Sequence, residues 1–326
     1  MDRVTLPLRA GDDGEAVADL QRRLARAGYA GCLADGNCFG EATVEAVRRF
    51  QAARGLRSDG ICGRQTWAAL VEAGYRPGER LLYNRTPMLR GDDVAALQEA
   101  LGRLGFFADR VDGIFGPRTA NALLDFQRNT GLTTDGICGP ETVASLGRLG
   151  DRAPGQVKGG VVERERLRTA PRELAGRRLV VGEYGGLAAL ASATGRAVTE
   201  AGARVILCQH PDGSQHASEA NEFGADAYIG LQLWDEPGCR CAYYGTAVFA
   251  SAGGAHLAEV TATALSGVLG GAGAVLPMRL PVLRETRMPS VVCEIGPPAK
   301  VVLATPALAE MLRRAFIEWV ADPLEG

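Results

Sequence analysis

Two stretches of the chain bring together side chains that could hold a metal. Cys208, His210 and His216 lie within nine residues, and Cys239 and Cys241 flank Arg240. Thiolate and imidazole are the donors zinc prefers. A catalytic zinc takes three protein ligands and keeps one position for water, whose pKa it lowers to about 7. A Cys-x-Cys pair with one or two histidines keeps a zinc reading open, but these spacings are not those of the usual structural sites. His210 precedes Pro211-Asp212-Gly213, a turn sequence that puts it at the surface. Two carboxylates also stand out. Glu183 follows the apolar run Leu179-Val180-Val181, and Glu294 ends the run Ser290-Val291-Val292-Cys293. A strand-end carboxylate either accepts hydrogen bonds from the adjoining turn or acts as a base on a ligand, and the second role needs partners.

The elements that would position these groups alternate. Strands are expected at Leu179–Val181, Val205–Leu207, Ala227–Leu231, Thr246–Phe249 and Ser290–Cys293. Helices are expected at Leu187–Ala201, Ser218–Phe223, Ala255–Leu269 and Pro306–Val320. Such alternation builds a sheet covered by helices on both faces.

The first half of the chain is organised by duplication. Asp59-Gly60-Ile61-Cys62-Gly63 recurs letter for letter as Asp135-Gly136-Ile137-Cys138-Gly139, 76 residues on. Phe50-Gln51 matches Phe126-Gln127, Gly55-Leu56 matches Gly131-Leu132, and Leu20-Gln21 matches Leu97-Gln98. A fixed internal period means one module used twice. Each copy reads as three helices. In the first, Val17, Leu20 and Leu24 form one apolar face, Val44, Val47 and Phe50 the next, and Trp67 and Leu70 the last. In the second these become Val94, Leu97 and Leu101, then Leu123 and Phe126, then Val143 and Leu146. Cys62 and Cys138 occupy equivalent positions, as small apolar core residues would. Cys32 and Cys38 flank a loop of the first copy and could pair, but the expected compartment argues for thiols.

This pattern resembles the three-helix peptidoglycan-binding domain, over residues 8–73 and 86–149. The second copy carries the whole motif, as Asp112, Gly113, Gly116, Thr119, Phe126, Gln127, Gly131, Leu132, Asp135, Gly136, Gly139 and Thr142. The resemblance implies peptidoglycan, or a precursor with the same sugar and stem peptide, as ligand. It offers Asp112, Gly113, Thr119, Gln127, Asp135, Gly136 and Thr142 as candidate binding residues. Most of these letters also have a plain structural role, so the motif speaks more directly for the fold than for the ligand.

Residues 177–321 resemble the zinc-dependent N-acetylmuramoyl-L-alanine amidases. Leu283-Arg284-Glu285-Thr286-Arg287-Met288-Pro289 and then Val292-Cys293-Glu294-Ile295-Gly296 match the segment that carries that family's catalytic glutamate. Ala220-Asn221 and Gly224-Ala225-Asp226 match the approach to its second zinc histidine. The ligand positions depart from the family: Tyr184 stands at the first histidine and Gln232 at the second. A phenol with a pKa near 10 and a neutral amide bind zinc weakly. The resemblance thus implies a domain without a metal cofactor, in which Glu294 is a relic of the general base.

Taken whole, the arrangement resembles the actinobacterial CwlM-type proteins, cytosolic regulators of peptidoglycan precursor synthesis. Proteins of that type use a phosphorylated C-terminal tail. This chain stops soon after its last helix, which speaks against such a mechanism here. The chain has 326 residues, 46% hydrophobic residues and a net charge of −2, with none of the basic character of a nucleic-acid binder. No apolar run approaches the roughly 18 residues of a membrane span. Met1–Pro7 lacks the apolar core of a signal peptide, so a cytoplasmic protein is expected.

The expected fold is therefore multidomain, two all-α three-helix repeats followed by an α/β domain with a central, mostly parallel sheet. Repeat 1 covers 1–75, repeat 2 covers 76–150, a linker with a possible helix at Val161–Arg168 covers 151–176, and the amidase-like domain covers 177–322. The first functional reading is a non-catalytic regulator whose partners are cytosolic cell-wall synthesis proteins, with a precursor or muropeptide as possible ligand. One alternative is a working zinc amidase with ligands relocated to Glu183, His210, His216 and Glu294. The other is a pure protein-interaction scaffold.

Overall fold

Glycine and proline set most of the element boundaries in the computed structural model, which describes residues 5–107, 109–150, 160–246, 249–271 and 273–324. The chain divides into two units, 1–159 and 160–326.

The first unit holds both repeats. Repeat 1 consists of α1 (Glu15–Arg26), a 3-10 turn at Ala30–Asp35, α2 (Glu41–Ala53) and α3 (Arg64–Ala73). Repeat 2 consists of α4 (Asp92–Arg103), α5 (Pro117–Thr130) and α6 (Pro140–Gly150). Pro117 at the first turn of α5 lacks the N–H that would go unpaired there. Gly131, at φ 72°, closes that helix in the left-handed region. Each repeat has its own core. Val17, Leu20, Leu24, Val47, Phe50, Cys62 and Leu70 form the first, and Val94, Leu97, Leu101, Leu123, Phe126, Cys138 and Leu146 form the second. Backbone bridges from Leu8 to Cys62 and from Leu82 to Cys138 tie the entry of each repeat to its last turn. Within Leu81–Tyr83, Leu82 is buried at its bridge while Leu81 and Tyr83 are exposed.

The second unit begins before the sheet. α7 (Val161–Thr169) lies within the segment read as linker, yet it belongs to this unit. Its Glu163 carboxylate accepts from Ser251 Oγ at 2.6 Å and Gly253 N at 3.0 Å, and Leu167 and Leu174 enter the core. Residues 151–159 lie outside the described residues. Then follow β1 (Arg178–Glu183), α8 (Ala188–Glu200), β2 (Arg204–Gln209), α9 (Gly213–Phe223), β3 (Ala227–Leu233) and β4 (Gly238–Tyr244). α10 (Ala252–Leu269), β5 (Ala274–Met278), α11 (Pro281–Glu285), β6 (Ser290–Gly296), α12 (Pro298–Leu303) and α13 (Thr305–Ala321) complete it.

The six strands run in the order β2-β1-β3-β6-β4-β5. All neighbours are parallel except β4 and β6. This is an α/β domain with a mostly parallel sheet, over the residues read above as amidase-like. Alternation along the strands sends Val181, Ile229, Leu231, Cys293 and Cys241 into one core under α8, α10 and α13. The opposite face packs against α9 and α11.

Two strands escape the sequence reading. β4 carries the Cys-x-Cys pair, and β5 is short and follows glycines. The strand expected at Thr246–Phe249 falls partly on residues 247–248, outside the described residues, and β4 already ends at Tyr244. α9 starts five residues before the expected Ser218, because Asp212 caps it by accepting from Ser214 N at 2.9 Å.

Candidate functional site

Two groups of residues were candidates: the repeat motif and the strand ends of the amidase-like domain. In the repeats, the motif converges on buried glutamines. Gln98, 1% exposed, donates from Nε2 to Asp112 Oδ1 at 2.9 Å, Ile114 O at 3.1 Å and Thr119 Oγ1 at 3.1 Å. Its Oε1 accepts from Asp112 N at 3.0 Å and Gly113 N at 2.8 Å. Gln127 does the same one turn later, with Asp135 Oδ1 at 2.9 Å, Ile137 O at 3.1 Å and Gly136 N at 2.9 Å. Asp135 in turn accepts from Ile137 N at 2.9 Å, and that bond, followed by Gln127, holds its carboxyl below the usual range. Gln51, Asp59, Gly60 and Thr66 repeat this clamp in the first copy. Asp112, Gly113 and Thr119 are thus bonded within the fold to Gln98, Asp135 and Gly136 are bonded to Gln127, and Thr142 is buried. The glycines sit at φ 70° and 71°, where a Cβ would be strained.

In the amidase-like domain, the pairing register assembles the other candidates. Gln232 of β3 pairs with Glu294 of β6, and Glu294 pairs with Arg240 of β4. Tyr184, just past β1, donates its N–H to Leu231 O at 3.2 Å. Tyr184, Gln232, Glu294 and Arg240 therefore form one row across the carboxyl ends of the parallel strands, where open α/β sheets place their ligand sites. Arg240 Nη2 lies 2.5 Å from Glu294 Oε2, and its guanidinium stacks 4.2 Å over Trp234. The two side chains are 34% and 13% exposed, so the pair is partly withdrawn from water.

The remaining metal candidates are committed elsewhere. His216 is fully buried between α9 and the sheet. Its Nε2 accepts from His210 N at 3.2 Å, which leaves Nδ1 to donate to the Tyr228 hydroxyl at 2.7 Å. Tyr228 meets the Tyr184 hydroxyl at 3.0 Å, and the Tyr184 ring stacks on His216 at 4.6 Å. Burial lowers the His216 pKa, so the ring is neutral, and with Nε2 accepting from His210 N it has no lone pair to spare. Burial also raises the pKa of both phenols. His210 Nδ1 accepts from Asp212 N at 3.0 Å within its own turn. Glu183 Oε2 accepts from Gly185 N at 2.8 Å and Leu187 N at 3.2 Å, which spends its carboxylate at the start of α8.

Cys239 and Cys241, two apart on a strand, share a face and point into the core. Cys241 donates to Cys293 Sγ at 3.4 Å and Cys239 to Ala262 O at 3.6 Å. Burial, together with bonding to Glu219, raises the Cys208 thiol. No group of three or more His, Cys, Asp or Glu among the described residues could hold a metal ion.

The zinc that an amidase fold implies does not fit these residues. A phenol raised by burial, a neutral amide and a carboxylate already paired with a guanidinium are a poor donor set for a divalent Lewis acid. The guanidinium of Arg240 supplies the positive charge beside Glu294 instead. Sequence reasoning found Tyr184, Gln232 and Glu294 but missed Arg240, Trp234 and Tyr228. Arg240 was hidden inside a Cys-x-Cys pattern that drew attention to the thiols. The one available signal was strand alternation, which sends Arg240 to the face opposite both cysteines.

Residues 13–70 and 90–146 each match the family described as "Putative peptidoglycan binding domain". The chain is 42% identical over 184 residues to N-acetylmuramoyl-L-alanine amidase CwlM of Mycobacterium tuberculosis, covering 53% of this chain and 45% of that protein. It is 37% identical over 164 residues to N-acetylmuramoyl-L-alanine amidase CwlL of Bacillus licheniformis, covering 44% of this chain and 45% of that protein. The chain thus spans about half the length of these relatives. A solved N-acetylmuramoyl-L-alanine amidase from Clostridium difficile 630 covers 45% of this chain and 99% of its own, at 16% identity and a TM-score of 0.38, a likeness from which no site correspondence follows.

Proposed function

We propose that this chain, a CwlM-type protein with two peptidoglycan-binding-family repeats and an amidase-like domain, is a non-catalytic regulator of peptidoglycan precursor synthesis. The observation that carries this reading is the row Tyr184, Gln232, Glu294 and Arg240. The position where amide hydrolysis would need a Lewis acid and a free base holds an ion pair 2.5 Å long. Without a metal, the attacking water is not acidified and the amide carbonyl is not polarised.

On this reading the domain serves as a platform for cell-wall synthesis proteins of the cytoplasm. The repeats bind those proteins or a precursor carrying the sugar and stem peptide. No helix among the described residues is long and apolar enough to cross a membrane.

The test is an amidase assay. The full chain is incubated with excess zinc and a muramyl peptide, and free L-alanine amino termini are measured. The reading expects no release above the protein-free blank, for the wild type and for Glu294→Gln alike. Zinc-dependent release that Glu294→Gln abolishes would overturn it.

A further inference from the structure

The two repeats share a fold but differ at one face of their first and last helices. Leu20-Gln21 aligns with Leu97-Gln98, so Asp19 and Arg23 of α1 become Ala96 and Ala100 of α4. Thr66 aligns with Thr142, so Trp67 of α3 becomes Val143 of α6. In repeat 1 this space is filled. Trp67 packs on the core, the Arg23 guanidinium lies 5.1 Å over its ring, and Asp19 holds Arg23 at 3.0 Å. In repeat 2, three smaller side chains leave a cavity of about 460 Å³ between α4, α6 and the segment Pro77–Leu82. That is within the range of small-ligand sites, about 300–1,000 Å³.

The cavity walls are Leu97, Ala100, Val143 and Leu146, with two polar features. At one end Arg80 grips the buried Asp93 with bonds of 2.7 and 3.0 Å, donates to Arg90 O at 2.7 Å, and stacks 3.5 Å over Tyr75. That pair is closed and presents no unmet charge. Arg103 also lines the cavity; it is exposed, and its guanidinium interacts electrostatically with Glu99, one turn earlier on α4.

We propose that this cavity of repeat 2, and not its filled counterpart in repeat 1, is a binding site for a planar aromatic group that carries a carboxylate. The ring takes the place that the Trp67 indole holds in the first repeat. The carboxylate meets Arg103, whose planar donors match it. Aromatic groups are the common anchors of such pockets because they bury a large area at a small entropic cost. The inference does not depend on whether the amidase-like domain is catalytic.

Indole-3-acetate is the probe, titrated into the full chain labelled with nitrogen-15. Saturable shifts of the amides around Ala100, Val143 and Leu146 are expected, with a dissociation constant on the order of millimolar or tighter for so small a ligand. Val143→Trp, which restores the repeat 1 filling, is expected to weaken binding at least tenfold with the spectrum otherwise preserved. Ala100→Arg is an independent filling variant if the first does not fold. Indole without its carboxylate should bind more weakly than indole-3-acetate, and Arg103→Gln should remove that difference. No saturable shift at these amides in the folded wild type would overturn the proposal, as would equal binding by a folded, filled variant.

Discussion

Replacing Gln98 by leucine removes one amide that five hydrogen bonds share. Its Nε2 reaches Asp112, Ile114 and Thr119 within 3.1 Å, and its Oε1 serves the N–H groups of Asp112 and Gly113 within 3.0 Å. Gly113 and Thr119 are buried, so water does not replace what is lost. A buried polar group deprived of its partner costs about 1–3 kcal/mol. Asp112 is only half buried and recovers part of its loss in water, and leucine refills most of the volume. The expected loss is therefore about 3–5 kcal/mol for repeat 2, a large share of the 5–15 kcal/mol typical of a domain. Two units make a single global transition an unsafe measure. Site-resolved hydrogen exchange on the intact chain is the better assay, read at the amides of α4, α5 and α6. Gln98→Glu should lose at least as much, because a carboxylate would then face Asp112. A loss below about 1 kcal/mol in both variants would show that the clamp does not hold the repeat together, and would return these motif residues to a ligand-binding role.

Gly182→Ala should destabilise the second unit by more than about 2 kcal/mol, measured by thermal unfolding, since a Cβ there would overlap the Tyr228 hydroxyl and lie 2.6 Å from His216 Nδ1. Arg240→Met removes the arginine partner of the partly buried Glu294, and urea unfolding should show a loss of about 1–3 kcal/mol that a companion Glu294→Gln largely restores. His216 has its pKa lowered by burial, so the unfolded chain binds more protons below its ordinary value of 6.5. Stability of the second unit should be complete above pH 6.5 and fall as the pH drops toward the lower folded value. His216→Gln should flatten that slope in a pH series of denaturation midpoints. Of the eight cysteines only Cys38 is exposed, and burial raises the Cys62 and Cys138 thiols to about 12. A thiol reagent at neutral pH should therefore modify one group quickly and the rest only on unfolding.

The repeats were legible because each motif letter answers a local geometric demand. Asp-Gly turns need glycine at positive φ, and the phenylalanine and leucine faces follow the helical period. What could not be read was the destination of the glutamine amides, since a buried glutamine looks like a surface one until the loop it clamps is in place. The parallel strands β1, β3 and β6 announced themselves as apolar runs. β4 and β5 did not, because glycine and alanine in β4 carry little strand signal and Pro277 interrupts β5. The row Tyr184, Gln232 and Glu294 could be placed because the resemblance to the amidases marks those three positions on or beside recognisable strands. The partner of Glu294 could not, because Arg240 comes from an antiparallel strand whose register no local pattern shows. His216 drew attention as a metal ligand, yet both its ring nitrogens are spent on Tyr228 and the backbone of His210.

The most direct test of the account is zinc content, measured by elemental analysis on the full chain after incubation with excess zinc and removal of free metal. A site built from Tyr184, Gln232 and an arginine-paired Glu294 predicts far less than one equivalent per chain. A stable equivalent of zinc, lost in Glu294→Gln, would contradict it and restore the amidase-like domain to metal-dependent hydrolysis.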